Sequence, residues 1–230
     1  MVERRNGGEH GVAAVTYYDG PAIWRARDDG LWSAELMEAA GTFINRQPDK
    51  AYEEYDGAAL VLVEYSDSFR LAMLCLPGVI LPDDGQGQEG DDGAGGHCAY
   101  AARYRKESSE ATRVHGCEFF LQPSGVHAHF SYLCLNVQQL FLSGVAPYPV
   151  ERTLLTTGIV DAVMESRLQG GSTRVPTPDL ANVAYTSWSD DAPPFRPSTE
   201  RPCGLSLDVR QPDDVWNRGG SRWATSTSTQ

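Results

Sequence analysis

Residues 147–171, PYPVERTLLTTGIVDAVMESRLQGG, decide how this chain is read. They have the form of a helix punctuated at both ends. Pro147 and Pro149 suit its start, because a fixed φ and a missing N–H cost little before or within a first turn. Glu151 puts a negative charge near the N-terminal dipole, and Gly170-Gly171 accepts the left-handed stop. Between them Leu155, Ile159 and Val163 recur every fourth residue, while Val160, Met164 and Leu168 make a second apolar row. A helix apolar on two sides is expected to be buried between layers rather than laid on a surface.

Upstream of this helix the pattern predicts another, from about Ala128 to Ser143, with Phe130, Leu133, Val137, Leu140 and Phe141 on one face and Gly144 as its stop. The short connection between them implies neighbouring helices. Further back, Ala58–Tyr65 and Phe69–Cys75 form the clearest hairpin, joined by Ser66-Asp67-Ser68. Cys98–Tyr104 and Val114–Leu121 read as two more strands. At the start, Val12–Tyr17 reads as a strand, with Pro21–Ala26 returning beside it after Asp19-Gly20. Ser33 caps a short helix to Gly41 with Leu36, Met37 and Ala40 inward, and residues 45–57 read as a polar loop. After Gly171, Thr173–Pro176 and Asn182–Thr186 read as edge strands. Strand pairs with tight turns followed by helices give an α+β class: an antiparallel or mixed sheet with two or three helices packed on one face.

The expected organisation is one domain over residues 1–186 and a disordered Pro/Ser/Thr-rich tail over 187–230. Residues 82–96, PDDGQGQEGDDGAGG, read as a flexible acidic insertion. Its four aspartates raise calcium binding, but neither the EF-hand order nor its closing glutamate is there. The chain of 230 residues carries 31 acids against 19 bases, a net charge of −12 that argues against nucleic acid or an anionic membrane as partner. No apolar run reaches the ~18 residues of a membrane span, and the first residues lack a secretory apolar core, so the expected location is cytoplasmic. Five cysteines without C-x-x-C spacing suit reduced thiols, with Cys75 and Cys134 as small core residues.

Four stretches carry a family resemblance: VERRNGGEHGVAAV, VLVEYSDSFRLAMLCLPG, HAHFSYL and PYPVERTLLTTGIVDAVMESRLQGG. Together they resemble, in order, the carboxyl-terminal part of proteins of the glucose–fructose oxidoreductase / inositol dehydrogenase (Gfo/Idh/MocA) family. The resemblance implies the substrate-binding and oligomerisation portion of an NAD(P)-dependent oxidoreductase acting on a sugar or cyclitol. It also implies a homo-oligomer formed through the open sheet face. No G-x-G-x-x-G follows a strand, and the family's E-K-P lysine motif is absent; Lys50 and Lys106 are the only lysines. The expectation is therefore a substrate domain without its cofactor half, binding no cofactor itself, with Met1 marking a truncation and NAD(P) belonging to a full-length relative. The alternative is a stand-alone, non-catalytic dimerisation module.

Candidate substrate-binding residues are His127, His129 and Arg152. The two histidines, at i and i+2 before a helix, project to one side in an extended segment and suit hydroxyl recognition, proton transfer or part of a metal site. The competing reading has one capping the helix and the other solvated. A zinc site would need His97, His115 or Cys117 to converge with them. Arg152, with Glu151, reads either as substrate contact or as helix-terminal charge in an ion pair. Arg4 and Arg5 are either an anion contact or solvated. No metal site is assigned, and no catalytic residue emerges.

Overall fold

The computed structural model describes residues 8–44, 46–47, 49–79, 98–105, 112–119, 134, 137–138, 140–146 and 148–186. The acidic insertion at 82–96, His97, His127, His129, Arg4, Arg5 and the tail at 187–230 lie outside the described residues. The chain divides into two units: Met1–Val126 with Tyr148–Ser187, and His127–Pro147 with Trp188–Gln230.

In the first unit the elements run β1 (Gly8–Glu9), β2 (Val12–Asp19), α1 (Pro21–Asp28), α2 (Ala34–Gly41), a 3-10 turn (Tyr52–Glu54), β3 (Ala59–Tyr65), β4 (Arg70–Cys75), β5 (Cys98–Arg105), β6 (Thr112–Phe119), α3 (Val150–Leu168), β7 (Arg174–Pro176) and β8 (Tyr185–Thr186). Four strands make one antiparallel sheet in the order β4-β3-β2-β7; β5 pairs with β6, and β1 with β8, in separate two-stranded ladders. The α+β class and the antiparallel hairpins are as the strand pattern indicates. The β3–β4 turn closes through the Tyr65 N–H on the Phe69 carbonyl at 2.9 Å, with Ser68 at φ 69°.

Period-two alternation in β3 splits the core. Val63 and Tyr65 face Val12, Val15, Leu155 and Ala162, the α3 side. Leu60 and Leu62 pack with Ile23, Ala26 and Trp32, the α1 side. The sheet centre is thus covered on both faces, by α3 on one and α1 on the other.

The expected return strand over Pro21–Ala26 is corrected to helix α1. Gly20 turns the chain at φ 49°, Pro21 occupies the first turn, and burial falls on Ile23 and Ala26, three residues apart. A strand would have buried alternate residues. α2 follows the expectation: the Ser33 hydroxyl accepts the Leu36 N–H at 3.3 Å, and Leu36, Met37 and Ala40 are half-buried. It packs on the β5–β6 hairpin, where Arg103 pairs with Glu35. Residues 45–57 hold more order than a polar loop, since Tyr52 and Tyr55 are both buried. Cys75 and Cys134 are exposed, not core. Cys75 ends an edge strand, where no further described strand covers it.

In the second unit, the described residues 134, 137–138 and 140–143 are helical and stop at Gly144, φ 69°, whose N–H reaches the Leu140 carbonyl at 2.8 Å. Val137, Leu140 and Phe141, expected on a covered face, are exposed. Phe130 and Leu133 lie outside the described residues.

Candidate functional site

Among the described residues of the first unit, the longest helix carries most of the exposed large apolar side chains. α3 has 19 residues, about 28 Å at the usual rise. Its inner face is fixed by packing and by one hydroxyl. Leu155 and Ala162 are buried against β2 and β3, with Ile159 and Val163 beside them. Gly158 lets α3 approach the chain: a Cβ there would lie 2.6 Å from the Leu180 side chain. Ser166, fully buried, accepts the Tyr17 N–H at 2.9 Å and donates to the Thr173 carbonyl at 2.6 Å. Ser172 N–H reaches the Tyr17 carbonyl at 2.6 Å. β7 starts only at Arg174, so these two serines complete the ladder at Tyr17 where no strand residue does.

The outer face is different. Val150 is 75% exposed, Leu154 50%, Val160 61%, Met164 56% and Leu168 82%. The expectation of a helix buried on two sides is therefore corrected: its first row meets the core, and its second faces outward. Two rows of similar chemistry are indistinguishable by periodicity; only the sheet's position decides between them. Exposed polar residues interleaved with or flanking the outer row include Thr153, Thr156, Thr157, Asp161, Glu165 and Arg167.

Arg152 stands in the first turn of α3, half-buried, its guanidinium 4.9 Å from the centre of the Tyr148 ring. That stacking holds it at the helix head. His127 and His129 lie outside the described residues. His115 and Cys117 lie two apart on β6, and burial raises the Cys117 thiol above its ordinary pKa, which suits a quiet thiol more than a nucleophile. Among the described residues no three His, Cys, Asp or Glu side chains group as metal ligands. The strand-to-helix turn from β2 to α1 carries Gly20 and then Pro21. Proline removes a first-turn N–H and the glycine fingerprint is absent, so this turn does not fit a dinucleotide pyrophosphate.

A second polar cluster escaped the sequence reading. Tyr52 and Tyr55 flank the 3-10 turn, three apart and so on one side of it. They pack with Val79, Trp24, Met37, Ile44 and Leu76. The Arg46 guanidinium lies 4.4 Å from the Tyr52 ring centre and the Lys50 ammonium 4.2 Å from that of Tyr55. By geometry neither buried phenol hydroxyl has a hydrogen-bond partner among the described residues, though the Arg46 guanidinium lies near enough to the Tyr52 hydroxyl to act on it. Burial raises the Tyr52 pKa, and the Arg46 charge offsets part of that rise. A shallow depression beside them is lined by Gln47, Asp49, Lys50 and Glu54, with neither tyrosine on its wall. The signal was the AYEEY spacing, with two aromatics three residues apart in an otherwise acidic stretch.

Comparison with protein-family models, curated proteins and solved structures finds no match to this chain. Among the described residues no helix is long and apolar enough to cross a membrane.

Proposed function

We propose that this chain is a non-catalytic interaction module that pairs with a second copy of itself through the outer face of α3. The observation that carries this reading is the row Val150, Leu154, Val160, Met164 and Leu168, exposed along the whole helix. Exposed apolar side chains gathered on one helix face, even with polar residues between them, suit an association site. The row also suits a two-fold partner: Val150 and Leu168, and Leu154 and Met164, are spaced symmetrically about Ile159. An antiparallel copy therefore sets Val150 against Leu168 and Leu154 against Met164, with Val160 opposite Gly158, in the self-complementary arrangement of an isologous contact. Asp161 is the discordant residue, because two copies of its charge would approach the dyad.

Sedimentation of the full chain over a dilution series tests this. Wild type sediments as a self-associated species that dilution dissociates. Val160→Lys with Met164→Lys removes the α3 contact and leaves the unfolding midpoint of dilute, dissociated protein unchanged, and Asp161→Asn tightens the contact. A monomeric wild type whose midpoint drops sharply in the double variant would mean that the row is internal core, and the proposal would fail.

A second reading keeps the family resemblance: the substrate-binding portion of a Gfo/Idh/MocA-like NAD(P)-dependent oxidoreductase acting on a sugar or cyclitol. It draws support from the coincidence of the resembling phrases with regular elements. VLVEYSDSFRLAMLC spans the β3–β4 hairpin, and VERTLLTTGIVDAVMESRL is α3. There Arg152, His127 and His129 would contact substrate. Calorimetric titration with a cyclitol separates the readings, since only the second expects heat that Arg152→Ala abolishes. Both place the chain in the cytoplasm, where its cysteines stay reduced.

A further inference from the structure

β4 is the outer strand of the four-stranded sheet, and its hydrogen bonding leaves one edge unpaired among the described residues. Which groups face outward follows from the register. The Tyr65 N–H bonds the Phe69 carbonyl, and partners on β3 and β4 run Val63↔Leu71, Val61↔Met73 and Ala59↔Cys75. Antiparallel ladders alternate bonded and non-bonded pairs. Leu71, Met73 and Cys75 thus bond inward to β3, and the backbone groups of Arg70, Ala72 and Leu74 point outward.

This edge lacks most of the usual protections, Arg70 at its start being its one charged residue. The register with β3 is uninterrupted by a bulge, and RLAMLC contains no proline, no lysine and no acid. Met73 is 45% exposed. In a chain with net charge −12, an acid-free strand is where two copies approach with least repulsion.

From this geometry we infer a second self-association surface: β4 pairs antiparallel with β4 of another copy, Ala72 opposite Ala72, joining two four-stranded sheets into one. That register is the one in which all three outward residues find partners. Arg70 meets Leu74 of the other copy, Ala72 meets itself, and Leu74 meets Arg70. Leu71 and Met73 stack across the junction on the α3 side of the sheet, covering the exposed methionine. The small Ala72 side chain at the dyad meets no bulk, and the two arginines lie at opposite ends. Two six-residue strands make a contact below about 1,200 Å², the class that dilution dissociates. The contact is independent of the α3 surface, since β4 and β7 are opposite edges of the sheet and α3 packs on β2 and β7.

Two substitutions in the full chain test it. Ala72→Pro removes an outward N–H and no bond to β3, so the fold keeps its ladder while the edge loses its central donor. Ala72→Cys, in a Cys75→Ser background, places two thiols about 5.5 Å apart between Cα atoms, within disulfide reach. The expected result is a disulfide-linked species of twice the chain mass on mild oxidation of Ala72→Cys, absent from Met73→Cys in the same background. Ala72→Pro lowers the order of association seen in sedimentation with an unchanged circular dichroism spectrum. An association that Ala72→Pro leaves intact, together with no cross-link from Ala72→Cys, overturns the inference. Because the α3 lysine variants leave β4 untouched, a lower order of association there with persistent Ala72→Cys cross-linking separates the two surfaces.

Discussion

Ser166 shows how much of this fold rests on single polar atoms. Its hydroxyl serves one donor and one acceptor on backbone that would otherwise be buried and unpaired. Ser166→Ala is expected to cost about 2 kcal/mol in chemical unfolding, since an orphaned buried group costs about 1–3 kcal/mol. The tyrosine pair predicts the opposite sign. Tyr55 buries a hydroxyl with no partner among the described residues, so Tyr55→Phe should stabilise by about 1 kcal/mol. The Tyr52 pKa is raised by burial, so its contribution is fully present below the unfolded value of about 10 and is lost as pH rises through the folded value. Wild-type stability should therefore fall in the alkaline range, and Tyr52→Phe should flatten that fall. The AYEEY spacing hints that the two tyrosines share a side, but neither it nor a serine in a helix declares which distant neighbours they meet.

Elements were legible where the signal is local. The β3–β4 hairpin follows from LVLVEY, a polar turn and RLAMLC, and α2 from Ser33 and the apolar positions after it. Ser33→Ala should cost about 1 kcal/mol through loss of the cap. It should speed amide exchange in α2 while leaving the β3 amides slow, because α2 packs on the β5–β6 hairpin. Pro21–Ala26 was misread because six residues hold too few periods to separate alternation from a three-residue spacing. Gly20-Pro21 ahead of it was the signal for a helix start. The two rows of α3 were both visible, but which of them is covered depends on where residues far away in sequence put the sheet. Cys75 fails likewise: alternation places it on a strand and cannot say that the strand is an edge.

At the scale of the whole molecule, the class was readable and the site was not. Composition and strand order gave α+β, whereas His127 and His129 were chosen for their chemistry and lie outside the described residues. What the described residues present instead is apolar surface: the outer row of α3 and the bare edge of β4. Surfaces of that kind have no motif. They are ordinary core residues whose partner is another molecule, so a single sequence cannot tell them from residues covered within the chain. The methionines supply a direct test, because Met164 stands in the α3 row, Met73 on the β4 edge, and Met37 is half-buried in α2. The measurement is hydroxyl-radical footprinting of the full chain across a dilution series, read as the oxidation rate of each methionine. Assembly through α3 predicts rapid oxidation of Met164 in dilute protein, slowing as concentration rises, with Met37 constant. A Met164 protected at every dilution, or oxidised equally at all of them, would contradict it.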